Sequence, residues 1–545
     1  MHATRPRRLA APIRSTLLVV LGLGFAAPTF AAETKTEGST ASKAAVKPDY
    51  LDPMIQAAWE ENSIKPSPQA TDAEYMRRLY LDLLGRIPTV QESLAFLENK
   101  EKGKRTKLVE YLLEHPDYAK NFGNIWTLIL VGRKQAERQV NKAALSGWLR
   151  RQFAENRPWN EIASDLITAT GSNKENGAVN YTMAHLDSGA VPITSITTRV
   201  FLGKQIQCTQ CHDHPSNDWK QRDFWGINAF FKGVKFEEVS KADATGAEVT
   251  DYYKLMDQPS DAYSTFEKRN AYMEIAFPTF LDGRKISQGK DVDRRKELGK
   301  FVTAAENDQF PTAFVNRMWG HFMGRGIVQP VDDFGAHNPA SHPELLDKLG
   351  ADFQASGYDI KALIRWITNS QAYQLSSIKT KSNELDETLF SHMMLKPMTP
   401  EQLFDSLLTS TDAHKTSADM DKKRDTWLRQ FVVTFGNDEQ GETTNFQGTI
   451  PQALMMMNGD LMTNATGGKA GSYLAKLLDE ARKRSRAHPE PFVINRLYLA
   501  ALSRPPSATE MTNARKIMAS SPDTIYLIED MFWALLNSNE FVLNR

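Results

Sequence analysis

The chain has 545 residues, 41% hydrophobic and 24% charged, which is too long for a single core, so two or three domains are expected. Its 66 basic residues balance 66 acidic ones, and no long basic block stands out. The electrostatic footprint of a nucleic-acid binder is missing, which excludes that class.

Residues 1–32 read as a secretory signal peptide. Arg5, Arg7, Arg8 and Arg14 precede an apolar run from Leu17 to Ala27, and cleavage is expected at the small residues Ala31 or Ala32. The run is about a dozen residues, short of the roughly 20 that a spanning helix needs, and no later segment is long and uncharged enough. The mature chain is therefore expected in the periplasm or otherwise exported, with no stable membrane span after cleavage. Removing the signal leaves 62 basic against 66 acidic residues, a net charge of about −4. Residues 33–48, dominated by Thr, Ser, Ala, Lys and Glu, read as a disordered leader.

From residue 49 the pattern turns helical. Thr89-x-x-Glu92 opens a series of capping boxes, in which a hydroxyl and an acid or amide satisfy orphan backbone donors at a helix start. Ser341-x-x-Glu344, Thr399-x-x-Gln402, Thr449-x-x-Gln452 and Ser507-x-x-Glu510 continue it, Pro400 falling in a first turn. The fold is expected to be mainly α: two helical domains, over 49–234 and 291–545, with a small β or irregular segment between them. That segment, 235–290, reads as a linker or small β insertion, because β-branched and aromatic residues alternate in Ala247-Glu248-Val249-Thr250-Asp251-Tyr252-Tyr253. The stretch Arg78-Leu79-Tyr80-Leu81-x-x-Leu84-x-Arg86-x-Pro88-x-x-x-Glu92 recurs as Arg496-Leu497-Tyr498-Leu499-x-x-Leu502-x-Arg504-x-Pro506-x-x-x-Glu510, one helical hairpin used twice.

The two cysteines of the chain both stand in Cys208-Thr209-Gln210-Cys211-His212. Covalent haem attachment requires this arrangement: two thiols three positions apart meet the two vinyl groups, and the next histidine reaches the iron. In that reading haem c is bound covalently through Cys208 and Cys211, and His212 is the metal ligand. The other ring nitrogen of His212 then needs an acceptor to fix the tautomer. His214, two residues on, is too close in sequence to reach the opposite face of the same macrocycle and takes a supporting role around the site. Two alternatives stay open. Zinc on Cys208, Cys211, His212 and His214 would be cramped, since zinc sites usually draw on two separated loops. A short-loop disulfide would suit an oxidising compartment.

Phe224, Ile227 and Phe231 follow at helical spacing, as a haem-pocket wall or as plain helix core. Spacing does not identify a sixth iron ligand; the candidates are Met183, His185, Met318, His321, Met455, Met456, Met457 and Met462. Asp333-Phe334-Gly335 lacks the glycine-rich and catalytic-loop sequences that accompany this triplet in kinases, and reads as a turn.

Cys208-Thr209-Gln210-Cys211-His212-Asp213-His214-Pro215 after Phe201-Leu202-Gly203, with Arg77-Arg78-Leu79-Tyr80-Leu81-Asp82-Leu83-Leu84-Gly85 upstream, resembles the planctomycete cytochrome-like domain, domain of unknown function 1549. Asn316-Arg317-Met318-Trp319, Gly324-Arg325-Gly326-Ile327-Val328, Asp332-Asp333-Phe334-Gly335 and Ser341-His342-Pro343-Glu344 resemble its usual C-terminal partner, domain of unknown function 1553. The likeness covers nearly all of the mature chain and implies an exported, haem-bearing bacterial protein. Asn217 stands where this family tends to carry an acid. The expected function is an exported c-type haem protein with a redox role, exchanging electrons with a redox partner protein or oxidising a substrate. The alternative is a periplasmic or envelope structural protein in which the CxxCH segment is a zinc or disulfide staple.

Overall fold

The computed structural model describes residues 47–545 except 134–136, 260–262, 288, 416–425, 431–458, 460–461, 463–465, 469, 485–488 and 521–523. The expected signal peptide, the leader up to residue 46, the box at Thr449 and Met455 to Met457 lie outside the described residues. The architecture is mainly α with small β segments.

In chain order the N-terminal helices are α1 (Leu51–Glu61), α2 (Asp72–Leu84), α3 (Val90–Glu98), α4 (Lys104–Leu113), α5 (Pro116–Val131), α6 (Lys142–Ala154), α7 (Trp159–Thr168), α8 (Val179–Met183), α9 (Val191–Leu202) and α10 (Gln221–Asn228). α2 shows why these segments become helices. Thr71 accepts from the Glu74 amide, Asp72 and Glu74 lie in the first turn where the helix dipole favours acids, and Gly85 ends the helix in the left-handed region at φ 71. From Tyr75 to Leu84 every residue of α2 is buried, including Arg77, Arg78 and Asp82, so the helix runs through the interior.

Strands β2 (Val234–Ala242) and β3 (Glu248–Asp257) form an antiparallel hairpin where the sequence alternates, bulged between Val239 and Ser240. β3 also pairs with β1 (Gly171–Ser172), and β4 (Ser264–Glu267) pairs with β5 (Met273–Ala276). The hairpin is anchored at its root. Buried Arg295 forks onto Asp257 at 2.9 and 2.5 Å and donates to the carbonyls of Ile167 and Ala169.

The C-terminal helices are α11 (Arg294–Val302), α12 (Gln309–Met323), α13 (Pro343–Ala355), α14 (Ile360–Thr368), α15 (Pro400–Thr411), α16 (Tyr473–Arg484), α17 (Glu490–Leu502), α18 (Ala508–Met518), α19 (Thr524–Leu536) and α20 (Asn539–Val542). Capping boxes form as expected at Thr89, Thr399 and Ser507. The box expected at Ser341 does not form. Pro343 starts α13 and His342 occupies the cap, so Ser341 lies one residue outside; its hydroxyl meets His342 Nδ1 at 3.0 Å and its amide donates to Ile327 O.

One apolar core collects residues from Leu51 through Met393 and crosses residue 235 freely. Trp126 and Trp159 pack at 4.4 Å between centroids, Trp159 stacks on Phe314 at 4.4 Å, and Phe314 stacks on Phe353 at 5.1 Å. A second core joins Leu81, Ile87 and Val90 to C-terminal residues from Met398 to Phe541. The chain end returns to this seam, where β7 (Leu543–Asn544) pairs with β6 (Lys396–Pro397). No helix among the described residues is long and apolar enough to cross a membrane.

Candidate functional site

α9 ends at Gly203, whose φ of +61 lies in the left-handed region that glycine favours. The chain then enters a short 3-10 turn, Gln207–Gln210, that carries Cys208 and leads into Cys211 and His212. Thr209 is buried and closes the turn by donating to Ile206 O at 2.6 Å. The Gln210 carbonyl accepts from Gln221 Nε2 and from Trp225 Nε1, both at 3.1 Å, which ties the turn to α10. Both thiols are free, Cys208 half-buried and Cys211 exposed. Burial pushes the Cys208 thiol above its usual pKa.

His212 is exposed, and its Nδ1 lies 2.7 Å from the Asp213 carbonyl oxygen. A carbonyl only accepts, so Nδ1 carries the proton and the Nε2 lone pair is available to a metal, the tautomer that iron ligation requires. The Asp213 side chain does separate work: Oδ1 accepts from the Gln221 amide at 3.1 Å, at the start of α10, and that bond holds the carboxyl below its usual pKa.

His214 is held in the opposite tautomer. Its Nδ1 accepts from the amides of Ser216 at 3.1 Å and Asn217 at 3.0 Å, which leaves the proton on Nε2 of the neutral ring. Ligating a metal through this ring would cost those two bonds or that proton. Cys208, Cys211, His212 and His214 are not gathered as zinc would need. Among the described residues no group of three or more His, Cys, Asp or Glu side chains is placed to hold a metal ion.

The turn at Asp332-Asp333-Phe334-Gly335 packs directly on this segment. The Phe334 amide donates to Gly203 O at 2.8 Å, and a Cβ at Gly203 would come within 2.6 Å of the Phe334 ring. A Cβ at Gly335 would fall 2.3 Å from Asn217 Oδ1 and 2.7 Å from His337, so any larger residue would have to displace those side chains. Lys204 lies over the rings of Trp219 and Phe334 at 5.9 Å each. His337 Nε2 is 3.0 Å from Asp333 Oδ2, and the His337 and His214 rings are 6.0 Å apart. The triplet is thus a turn, as its sequence suggests, and it is also half of the junction. Asp333, Phe334 and Gly335 were legible as motif letters only, and His337 carried no signal at all; their partner lies more than a hundred residues upstream.

The other expected residues are placed elsewhere. Phe224, Ile227 and Phe231 are buried in protein as helix core, and Asp223 caps α10 by accepting from the Lys220 amide at 2.8 Å. Met183, Met318 and Met462 are buried. His185 and His321 line a cavity beside the turn, with Ile206 and Gln207 in its wall. Neither His185 nor His321 is a hydrogen-bond or ring partner of His212 or His214.

The two thiols, the available His212 nitrogen and the exposure of the turn fit a covalently attached haem, while Phe224, Ile227 and Phe231 are covered by protein. Residues 50–236 match the family model PSCyt2, described as a protein of unknown function (DUF1549), and residues 294–518 match PSD1, a protein of unknown function (DUF1553). No curated protein and no solved structure matches the chain.

Proposed function

Because the chain belongs to the two-domain family in which a DUF1549 unit precedes a DUF1553 unit, we propose that it is an exported c-type haem protein with a redox role. Cys208 and Cys211 would hold haem c covalently, and His212 Nε2 would be the protein ligand of its iron. The supporting observation is the His212 ring itself: its Nδ1–H is committed to the Asp213 carbonyl beside two free thiols, which frees the other nitrogen. Bound in this way, the group supplies a one-electron couple.

The residues of the chain then have definite tasks. Gln221 and Trp225 fix the turn by its Gln210 carbonyl, and Asp213 sets the His212 tautomer through its main chain. His214, tied to its own loop, faces His337 and supports the site from the side of the second unit. The exposure of Cys211 and His212 leaves the site open to a redox partner protein or a substrate.

The test is the absorption spectrum of the chain produced with haem-attachment machinery, compared with a Cys208→Ala, Cys211→Ala variant. Covalent haem, read as a pyridine haemochrome and as added mass, is expected in the parent and lost in the variant. Colourless parent protein with the mass of bare polypeptide refutes the reading. Stoichiometric zinc or a reducible disulfide in that material would favour a structural staple instead.

A further inference from the structure

The matched DUF1549 and DUF1553 units share a cavity of about 930 Å³, near the upper end of the roughly 300–1,000 Å³ usual for ligand sites. α5 and α9 supply one side; α12, residues 324–332 and the start of α15 supply the other. Its charges do not cancel, since the described lining carries six cationic side chains and four carboxylates. Lys120 pairs with Asp405 at 3.3 Å, Arg133 with Glu401 at 3.0 Å and Lys396 with Asp82 at 2.7 Å. Asp332 is shared between Arg199 at 3.6 Å and Arg317 at 3.5 Å. Arg325 has no hydrogen-bond or ion-pair partner among the described residues.

Two ring nitrogens add acceptors to this excess of positive charge. His185 donates from Nε2 to Leu130 O at 2.7 Å, and His321 from Nε2 to Asp82 O at 3.0 Å. Each neutral ring therefore keeps Nδ1 as an acceptor. Burial holds both rings below the ordinary histidine pKa, which keeps them neutral at pH 7. An unpaired guanidinium calls for a carboxylate, and imidazole acceptors call for hydroxyl donors.

We propose that this cavity binds a polyhydroxylated organic acid of the uronic-acid type, its carboxylate at Arg325 and its hydroxyls donating to His185 and His321. The site stands on its own charges and does not depend on the haem reading. Titration calorimetry of the full chain with D-glucuronate, D-glucose and acetate tests it. Glucuronate is expected to bind at least about tenfold more tightly than either, since glucose lacks the charge and acetate lacks the hydroxyls. Arg325→Gln is expected to lower glucuronate affinity about tenfold, and Arg325→Lys, which keeps the charge, to recover part of it. Equal affinity for glucuronate and glucose, no glucuronate binding at millimolar concentration, or a lysine variant no better than the glutamine variant would each overturn the proposal.

Discussion

At Gly203 two constraints fall on a single hydrogen atom. The backbone is left-handed, and the space a methyl group would take is filled by the Phe334 ring from the second unit. Gly203→Ala is therefore expected to cost about 1–2 kcal/mol for conformation, plus about 1–3 kcal/mol for overpacking. In a Phe334→Ala background the steric part vanishes and only the conformational part is left. Urea denaturation of the four proteins in this cycle measures the difference, and an equal cost in both backgrounds would show that the ring is not the cause. The residues at this contact were visible in the sequence as Phe201-Leu202-Gly203 and Asp332-Asp333-Phe334-Gly335. Their meeting was not, because local pattern tells which residues turn or cap and says nothing about what a turn will lie against. The same limit explains the apolar residues around α10: helical spacing marked Phe224, Ile227 and Phe231 as one face, but the helix ends at Asn228, Phe231 lies in the 3-10 turn that follows, and protein covers all three.

The recurring hairpin carries this argument to the scale of elements. Arg86 grips Glu92 through two nitrogens at 2.9 and 3.0 Å, and Arg504 grips Glu510 at 2.8 Å through both. Each glutamate also closes the capping box that starts its helix, and each arginine lies over the tyrosine six residues back, Tyr80 or Tyr498. The repeat in the sequence is thus a repeated stop, clamp and start. The fourth member of each clamp, Asp117 or Glu540, comes from another element and left no trace in the repeat. Glutamine preserves the box, so Glu→Gln isolates the charge. Glu510 is the more exposed, and Glu510→Gln is expected to cost about 0.5–1 kcal/mol at neutral pH after solvent screening. Glu92→Gln, with both partners largely covered, is expected to cost more, about 1–3 kcal/mol. The hydrogen bonds from Arg504 hold the Glu510 carboxyl down at about 2. A depressed pKa in the folded state stabilises above the unfolded value and stops doing so as pH falls through the folded one. The stability gap between wild type and Glu510→Gln should therefore close between the ordinary carboxylate range and about pH 2, in denaturation curves taken across that window.

For the whole molecule, the question is whether two family units amount to two folding units. The sequence reading placed helical domains over 49–234 and 291–545, yet the first apolar core draws on both stretches and the second places Leu81 and Ile87 among C-terminal helices. α2 fastens the seam with charge as well. Asp82, buried, accepts from Lys396 at 2.7 Å, Tyr373 at 2.8 Å and Asn544 at 2.7 Å, while Arg77 donates to Ala501 O and Phe541 O. Removing one member of a buried pair strands the other, so Lys396→Met is expected to destabilise the protein by about 3–5 kcal/mol, nearer the lower figure because Tyr373 and Asn544 still donate to Asp82. If the seam couples the units, that loss must reach both. Calorimetry should then show one transition in wild type and one, at lower temperature, in the variant. Amide exchange should weaken together in α5 of the first unit and in α17 of the second. A variant that loosens α17 while α5 keeps its protection, or a wild-type melt that resolves into two steps, would mean that the shared cores only touch and each family unit folds alone.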